Sequence, residues 1–494
     1  MCKPGFDNNK YLELQSQQIR DRIAHFGGKL YLEFGGKLFD DYHASRVLPG
    51  FEPDSKINLL LEFKDEAEII IAISANDIEK NKVRGDLGIT YDDETKRLID
   101  AFRACGLYVG SVVITQFCGQ SNALLFESKL KKMGIKVYLH YSIPDYPTNV
   151  SLIVSGEGYG KNDFIETTRR LVIVTAPGPG SGKMAVCLSQ LYHHNERGER
   201  AGYAKFETFP IWNLPLKHPV NLAYEAATAD LADVNMIDNY HLEAYGKMAV
   251  NYNRDIEIYP VLKAIFDKIY GKCPYLSPTD MGVNMVGYCI FDDEACREAS
   301  KQEIIRRYYK ALSDVRQGKD AENEVHKIEL LMNSLSITTD IRRTVKAALE
   351  LEKKTESPVL ALELTDGTII TGKTSSLLGA SSAALLNALK YLAGIPDELH
   401  LLSPDIIEPI QHLKIEHMGN HNPRLHMDEV LIALSVKSYN DEIVVKAIDQ
   451  LAKLKGAEAH STVMLSHVDV NVFSKLGVNL TCEPIYQTKK LYHK

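Results

Sequence analysis

Residues 170 to 198 read Arg170-Leu-Val-Ile-Val-Thr-Ala-Pro-Gly-Pro-Gly-Ser-Gly-Lys183-Met-Ala-Val-Cys-Leu-Ser-Gln-Leu-Tyr-His-His-Asn-Glu-Arg-Gly198. An apolar strand, Leu171 to Thr175, runs into a glycine-rich turn. A helix is expected next, with Ala185, Leu188 and Tyr192 on one face and Gly198 as its stop. This is the strand–loop–helix context that a phosphate-binding loop requires. Gly178, Gly180 and Gly182 let backbone N–H groups converge with no Cβ in the way, and Ser181 sits among them. The helix N-terminus adds free donors and the positive end of a dipole. Lys183 supplies a mobile charge for terminal phosphates. Two positions depart from the usual loop. Pro177 stands where its first glycine belongs, and Met184 replaces the hydroxyl residue that ordinarily holds Mg²⁺. Either a carboxylate elsewhere holds the metal, or the loop binds phosphate without one. A plain tight turn between strand and helix is the alternative.

Outward from this loop, short apolar runs alternate with amphipathic segments. Lys29 to Phe34, Ile57 to Phe63, Ala67 to Ile73, Leu107 to Thr115 and Ile135 to His140 read as further strands. Glu94 to Cys105 and Asn122 to Met133 have helical spacing, each followed by a glycine, Gly106 or Gly134. The alternation predicts a doubly wound α/β sheet. Residues 206 to 292 are richer in Asn, Asp, Tyr and Pro and read as loops with short helices. Residues 293 to 356 are dense in charge and helix formers. From Val359 a second α/β pattern begins, with a hairpin turning at Asp366-Gly367. Helices at 382 to 393, 427 to 437 and 441 to 455 follow, then strands at 457 to 465 and 478 to 482. The domains expected are therefore residues 1–292, carrying the loop and a loop-rich substrate segment, a helical middle at 293–356, and a C-terminal α/β domain at 357–494.

Composition agrees with this reading. The chain has 494 residues, 45% of them apolar, which excludes a disordered or fibrous protein and allows several cores. A net charge of -8 argues against nucleic acid as the main partner. No apolar run approaches the length of a membrane span, and the start lacks a signal peptide, so a cytoplasmic protein is expected. Its cysteines form no short pairs of the kind that disulfide scaffolds or zinc sites use.

Other residues are candidates to assist the loop. Asp230 and Asp233 are spaced to share a helix face, and with Asp280 they are candidates to place a metal or a nucleophile. Lys205, Lys217, His218 and Arg254 are candidates to neutralise phosphate charge, and Trp212 stands in a proline-flanked loop suited to cover a ligand. Lys82 and Arg84, in the basic stretch Lys80 to Asp86, offer a second anion contact at a carboxyl edge. For each, a solvated surface is the alternative. His417, His421, His426 and Asp428 have metal-ligand chemistry, but Gly419 and Pro423 interrupt the helix that would align them. Ser375 to Ser382 precede a helix and either cap it or offer an anion its N-terminal donors, and Ser466, His467 and Asp469 are read the same way.

Phe34-Gly-Gly-Lys-Leu-Phe-Asp-Asp-Tyr-His-Ala-Ser-Arg-Val-Leu-Pro-Gly50, Lys80 to Asp92, Ala176 to Met184, Ala201 to Leu231 and Ser277 to Met285 resemble an uncharacterised bacterial family. It is known as domain of unknown function 1846, and the resemblance runs essentially end to end. It implies a bacterial cytosolic protein with a Rossmann-like N-terminal part, a helical insert and a separate C-terminal α/β domain. That last domain would share the layering of cytidine deaminases without their zinc motif. The family supplies no reaction. It does make Pro177 and Met184 members of a distinct version of the loop.

The fold expected is thus α/β: a Rossmann-like three-layer N-terminal domain with a P-loop-like strand–loop–helix, a helical middle and a second α/β domain. The function expected is an enzyme that binds ATP, another nucleotide or a small phosphorylated ligand at Gly178 to Lys183, with Mg²⁺ as a possible companion. Phosphoryl transfer by positioning and charge neutralisation is the leading reaction. The alternatives are an enzyme using the loop purely as an anion cradle for a dinucleotide or phosphorylated metabolite, and a non-catalytic nucleotide sensor. A homo-oligomer is the expected assembly, with neither nucleic acid nor membrane as partner.

Overall fold

The computed structural model describes residues 3–487 apart from 37, 40, 85, 86 and 232. Two compact units emerge, one of Pro4–Glu225 with Asp233–Cys296, the other of Arg297–Lys494 with Met1–Lys3 and Ala226–Ala232.

The first unit is built on a parallel sheet of seven strands. They are β1 (Leu30–Phe34), β2 (Ala67–Ser74), β3 (Tyr108–Phe117), β4 (Lys136–Tyr141), β5 (Leu171–Thr175), β6 (Gly202–Phe206) and β7 (Gly282–Val283), in the order β7-β6-β1-β5-β2-β3-β4. Every residue of β1, β2 and β5 is buried, as expected of largely apolar strands in a parallel sheet covered on both faces, and the burial includes Glu33 of β1 and Glu68 of β2. The chain lays β2, β3 and β4 out to one side of β1. It then returns to insert β5 between β1 and β2, and finally adds β6 and β7 on the opposite side. The carboxyl ends of β5, β1 and β6 therefore lie side by side where the winding reverses. In open α/β sheets this is where ligands bind.

One face of that sheet is covered by α1 (Lys183–Glu196) and α2 (Asn253–Tyr270), whose Cys187, Leu191, Tyr259 and Phe266 share a core with Tyr31, Val172, Val174 and Tyr203. Two expectations are corrected here. Ile57 to Phe63 is not a strand but the end of a helix, Ser55–Leu61. Its buried residues Lys56, Ile57, Leu59, Leu60 and Phe63 recur at helical spacing, while Leu61 and Glu62 point outward. The segment 206–292, read as loops and short helices, also supplies β7, which pairs in parallel with β6.

In the second unit, the helices Asp293–Arg316, Glu322–Ser334 and Arg343–Thr355 fill the expected helical middle, and from Arg297 onward they group with the C-terminal sheet. That sheet runs β9-β8-β10-β11, with β8 (Val359–Glu363), β9 (Ile369–Lys373), β10 (Glu458–Ser461) and β11 (Asn479–Cys482). The predicted hairpin joins β8 to β9 through Gly367, whose φ of +85° suits glycine. Helices α3 (Ala380–Ala393), α4 (Met427–Lys437) and α5 (His467–Lys475) pack on Leu360, Leu362 and Ala459.

Candidate functional site

The loop after β5 has the form that anion binding needs. Gly182 caps α1 at φ +80°, and no side chain occupies the cap. The first hydrogen bond of the helix comes from Val186 N–H to the Gly182 carbonyl at 3.0 Å. The amides of Ser181 to Ala185 donate to no acceptor among the described residues, leaving a row of donors at the positive end of a 14-residue helix. The loop's shape is fixed from below. The buried Ser181 hydroxyl donates to the Gly178 carbonyl at 2.9 Å, and Thr115 Oγ1 donates to the Ser181 carbonyl at 2.8 Å. Tyr91 lies directly on Gly178, so close that any Cβ there would collide with its ring. The Lys183 ammonium has no hydrogen bond or ion pair among the described residues. Met184 packs into the core beneath α1.

A second cluster stands at the ends of β1 and β6, on the face that carries α1 and α2. Strand alternation puts Tyr203, Lys205 and Glu207 on one side, and Glu33 lies beside Lys205 in register. The Tyr203 hydroxyl donates to Glu33 at 2.6 Å. The Lys205 ammonium sits 2.5 Å from Glu207 and also pairs with Asp255 in the first turn of α2. Burial opposes the lysine's charge, but Asp255, Glu207 and Glu33 outweigh it and hold the ammonium well above its usual range. Burial pushes the Glu207 carboxyl up to about 7 against the pull of Lys205, with Asp255 and Glu33 adding to the rise. Cys187 of α1 connects cluster and loop: burial raises its thiol well above the ordinary value, the Glu33 charge raises it further, and Lys183 draws it back.

Of the four cations expected to help the loop, Lys205 joins this cluster. His218 is bound to Asp293 at 2.9 Å and Arg254 to Asp233 at 2.6 Å. Lys82 is brought near the loop through Tyr91, over whose ring its ammonium lies at 4.9 Å, with Asp77 at 3.3 Å. Arg84 is committed to the fully buried Glu94. The shared helix face expected for Asp230 and Asp233 is not formed. Asp230 lies in a 3-10 turn, Ala229–Leu231, of the second unit, and Asn235 already begins a strand of the first. Asp280 accepts from the Leu276 amide at 3.1 Å and faces Arg22 at 3.7 Å. Trp212 donates its indole N–H to the Asn284 carbonyl at 3.0 Å.

Among the described residues no group of three His, Cys, Asp or Glu is placed to hold a metal ion. His417 ends the turn Leu413–His417, whereas His426 turns to Asp469 at 3.1 Å. Glu33, Glu207 and Asp255 went unnoticed in the sequence. The readable signal was Lys205-Phe206-Glu207, two charges of opposite sign on one side of a strand end.

With this geometry in place, the family follows. The model of the N-terminal domain of unknown function DUF1846 matches residues 4–336, and its C-terminal counterpart matches residues 340–492. The chain belongs to the DUF1846 family. It is 59% identical over 490 residues to a UPF0371 protein of Streptococcus pyogenes serotype M28, covering 99% of both chains. To a UPF0371 protein of Streptococcus thermophilus it is 58% identical over 494 residues, 100% of both. The resemblance of the Ala176 to Met184 and Ser277 to Met285 stretches thus marks true membership, and the N- and C-terminal halves are matched as separate domains.

Proposed function

We propose that this DUF1846 protein is an enzyme that binds a nucleotide, ATP first among them, or another phosphorylated ligand. The phosphate would sit on Gly178, Gly180, Ser181, Gly182 and Lys183, in a Rossmann-like three-layer domain whose loop is a variant P-loop. The observation that carries this reading is the row of amides from Ser181 to Ala185, beside Lys183, none of which has a partner among the described residues. Lys82 stands by as a further cation.

The neighbouring cluster supports chemistry rather than binding alone. A carboxyl near 7, as at Glu207, takes and returns a proton at neutral pH. In phosphoryl transfer, an acceptor hydroxyl would give its proton to Glu207 as its oxygen bonds to phosphorus and the leaving phosphate oxygen departs. Lys183 and the amides would hold the transferred group, and Lys205 would stabilise the charge that develops. Met184 favours a second reading, because no hydroxyl is available there for Mg²⁺. In that reading the loop cradles a phosphorylated metabolite or dinucleotide, and Glu207 performs acid–base chemistry on it.

A thermal-shift panel of ATP, GTP, NADP and sugar phosphates, with and without Mg²⁺, tests both. An ATP shift that needs Mg²⁺ and disappears in Lys183→Ala supports phosphoryl transfer. A metal-independent shift from NADP or a sugar phosphate, lost in the same variant, supports the second reading. A shift unchanged by Lys183→Ala removes the ligand from this loop.

A further inference from the structure

The second unit contains a pocket that neither reading uses. It has about 30 Å³ of room and opens between the start of α3, the segment before α4 and the start of α5. Four features of its wall point the same way.

The first is α3 itself, 14 residues long and capped by Gly379 with no side-chain partner. The amides of Ala380, Ser381 and Ser382 donate to nothing among the described residues. The serines ahead of this helix do not cap it. Ser375 Oγ accepts instead from the amides of Leu377 and Leu378, at 3.2 and 3.1 Å, and Ser382 Oγ donates to the Leu425 carbonyl at 2.8 Å.

The second is Ser381. It is only 2% exposed, lines the pocket, and its hydroxyl has no hydrogen-bond partner among the described residues. A hydroxyl with no partner in the protein is available to hydrogen-bond a ligand in the pocket.

The third is His426. Its Nδ1 lies 3.1 Å from Asp469 Oδ2, while the Ser466 hydroxyl donates to the same carboxylate at 2.9 Å. Asp469 also accepts from the Met427 amide at 2.9 Å, so the carboxylate is fully engaged. Ser466 and Asp469 both meet Nδ1, so this is no nucleophile relay, which would need them on opposite ring nitrogens. His426 lines the pocket, and its Nε2 has no hydrogen-bond partner among the described residues. The fourth is Arg424, which also lines the pocket; it is anchored through Nε to the Ser375 carbonyl at 2.7 Å, and its other guanidinium N–H groups have no partner among the described residues.

We propose that this pocket is a phosphate site, in which the α3 amides, the Ser381 hydroxyl, Arg424 and His426 Nε2 hold a phosphate dianion. The ligand is inorganic phosphate or the terminal phosphate of a larger molecule. The groups facing His426 set its charge. Hydrogen bonding to Asp469 raises it above the usual histidine range, burial and Lys414 oppose the rise, and Glu429 adds to it. Binding of the dianion should therefore weaken as pH rises through that raised value.

The test is calorimetric titration of the full chain with inorganic phosphate, carried out in a Lys183→Ala background so that the loop after β5 contributes nothing. Saturable binding is expected, weakened about tenfold by Ser381→Ala and by Arg424→Gln, one hydrogen bond to a charged partner each. In parallel, the NMR titration of His426 should move to higher pH when phosphate is added, a change that a purely structural histidine would not show. A phosphomonoester that competes with inorganic phosphate identifies the ligand as a terminal phosphate, and one that fails to compete identifies it as free phosphate. No binding in the Lys183→Ala background overturns the proposal. So does binding indifferent to both variants together with an unmoved His426.

Discussion

The two units each place uncapped helix amides beside cations, by different means. After β5, left-handed glycines present a row of amides, and the positive charge comes from Lys183 and Lys205. In the C-terminal pocket the backbone is ordinary, with Gly379 at φ −70°, and part of the charge comes from His426. Lysine charge is constant across neutral pH, whereas histidine charge is not. An anion on the first set of amides would meet the constant charge of Lys183, and one on the second would meet a histidine charge that titrates. The carboxyl raised toward neutrality, by contrast, lies in the first unit, where burial pushes Glu207 up to about 7.

The largest effect that could break this contrast concerns the loop. Lys183→Ala should abolish the stabilisation a nucleotide gives, about 2.7 kcal/mol when the ligand is at 100 times its dissociation constant. A thermal shift retained in the variant would leave the first unit without its anion site. Next in size is Lys205→Met, which strands Glu207 and Asp255 together with no cation. Urea unfolding should show a loss on the order of 3 kcal/mol, and an unchanged midpoint would mean the cluster is solvated rather than coupled.

A smaller effect sharpens the comparison through pH. In the first unit, burial lowers His140 to about 3. An unfolded histidine binds a proton near about 6.5, so the stability from His140 is present above that value and drains away as pH falls below it. In the second unit, hydrogen bonding to Asp469 raises His426, and its contribution is full below about 6.5 and lost as pH rises through the raised value. Asp469 is lowered: burial opposes its charge, but His426 and the Met427 amide prevail. Its contribution is full above about 3.9 and lost as pH falls through the lowered value. Trp212, the single tryptophan, lies in the first unit and reports on it alone. Mild acid should therefore lower the tryptophan-detected midpoint of urea unfolding, and a midpoint unchanged between neutral pH and about pH 5 would contradict this. Smallest is Gly182→Ala, which places a Cβ at φ +80° and 3.3 Å from Thr115 Cβ. It should cost about 1 kcal/mol and weaken ligand binding at the loop alone.

Much of the first unit was legible because its strands obey one simple rule. Leu171 to Thr175 was placed to the residue, since a buried parallel strand is an unbroken apolar run bounded by glycine. The same rule misread Ile57 to Phe63, where a short helix buried on most of its surface has equally few polar residues. The loop and its helix were readable from local spacing. The Glu33–Lys205–Glu207–Asp255 cluster was not, because it is assembled from three separated segments, and only the strand register of β1 with β6 brings them together. Asp230 and Asp233 failed as a pair for a local reason: the 3-10 turn Ala229–Leu231 ends before Asp233 and a strand starts at Asn235, so no helix carries both. In the C-terminal domain Ser375 to Ser382 and Asp469 were noticed separately, but nothing in their spacing joined them to His426 in one pocket.

The proposed function depends on phosphate binding where Gly178 to Lys183 meets α1. The most direct measurement is the thermal shift given by ATP, NADP and sugar phosphates in a His426→Gln background, compared with the same background carrying Lys183→Ala. The account predicts a shift from at least one of these ligands that persists across neutral pH and vanishes with Lys183. No shift in the first background, or an equal shift in both, would contradict it.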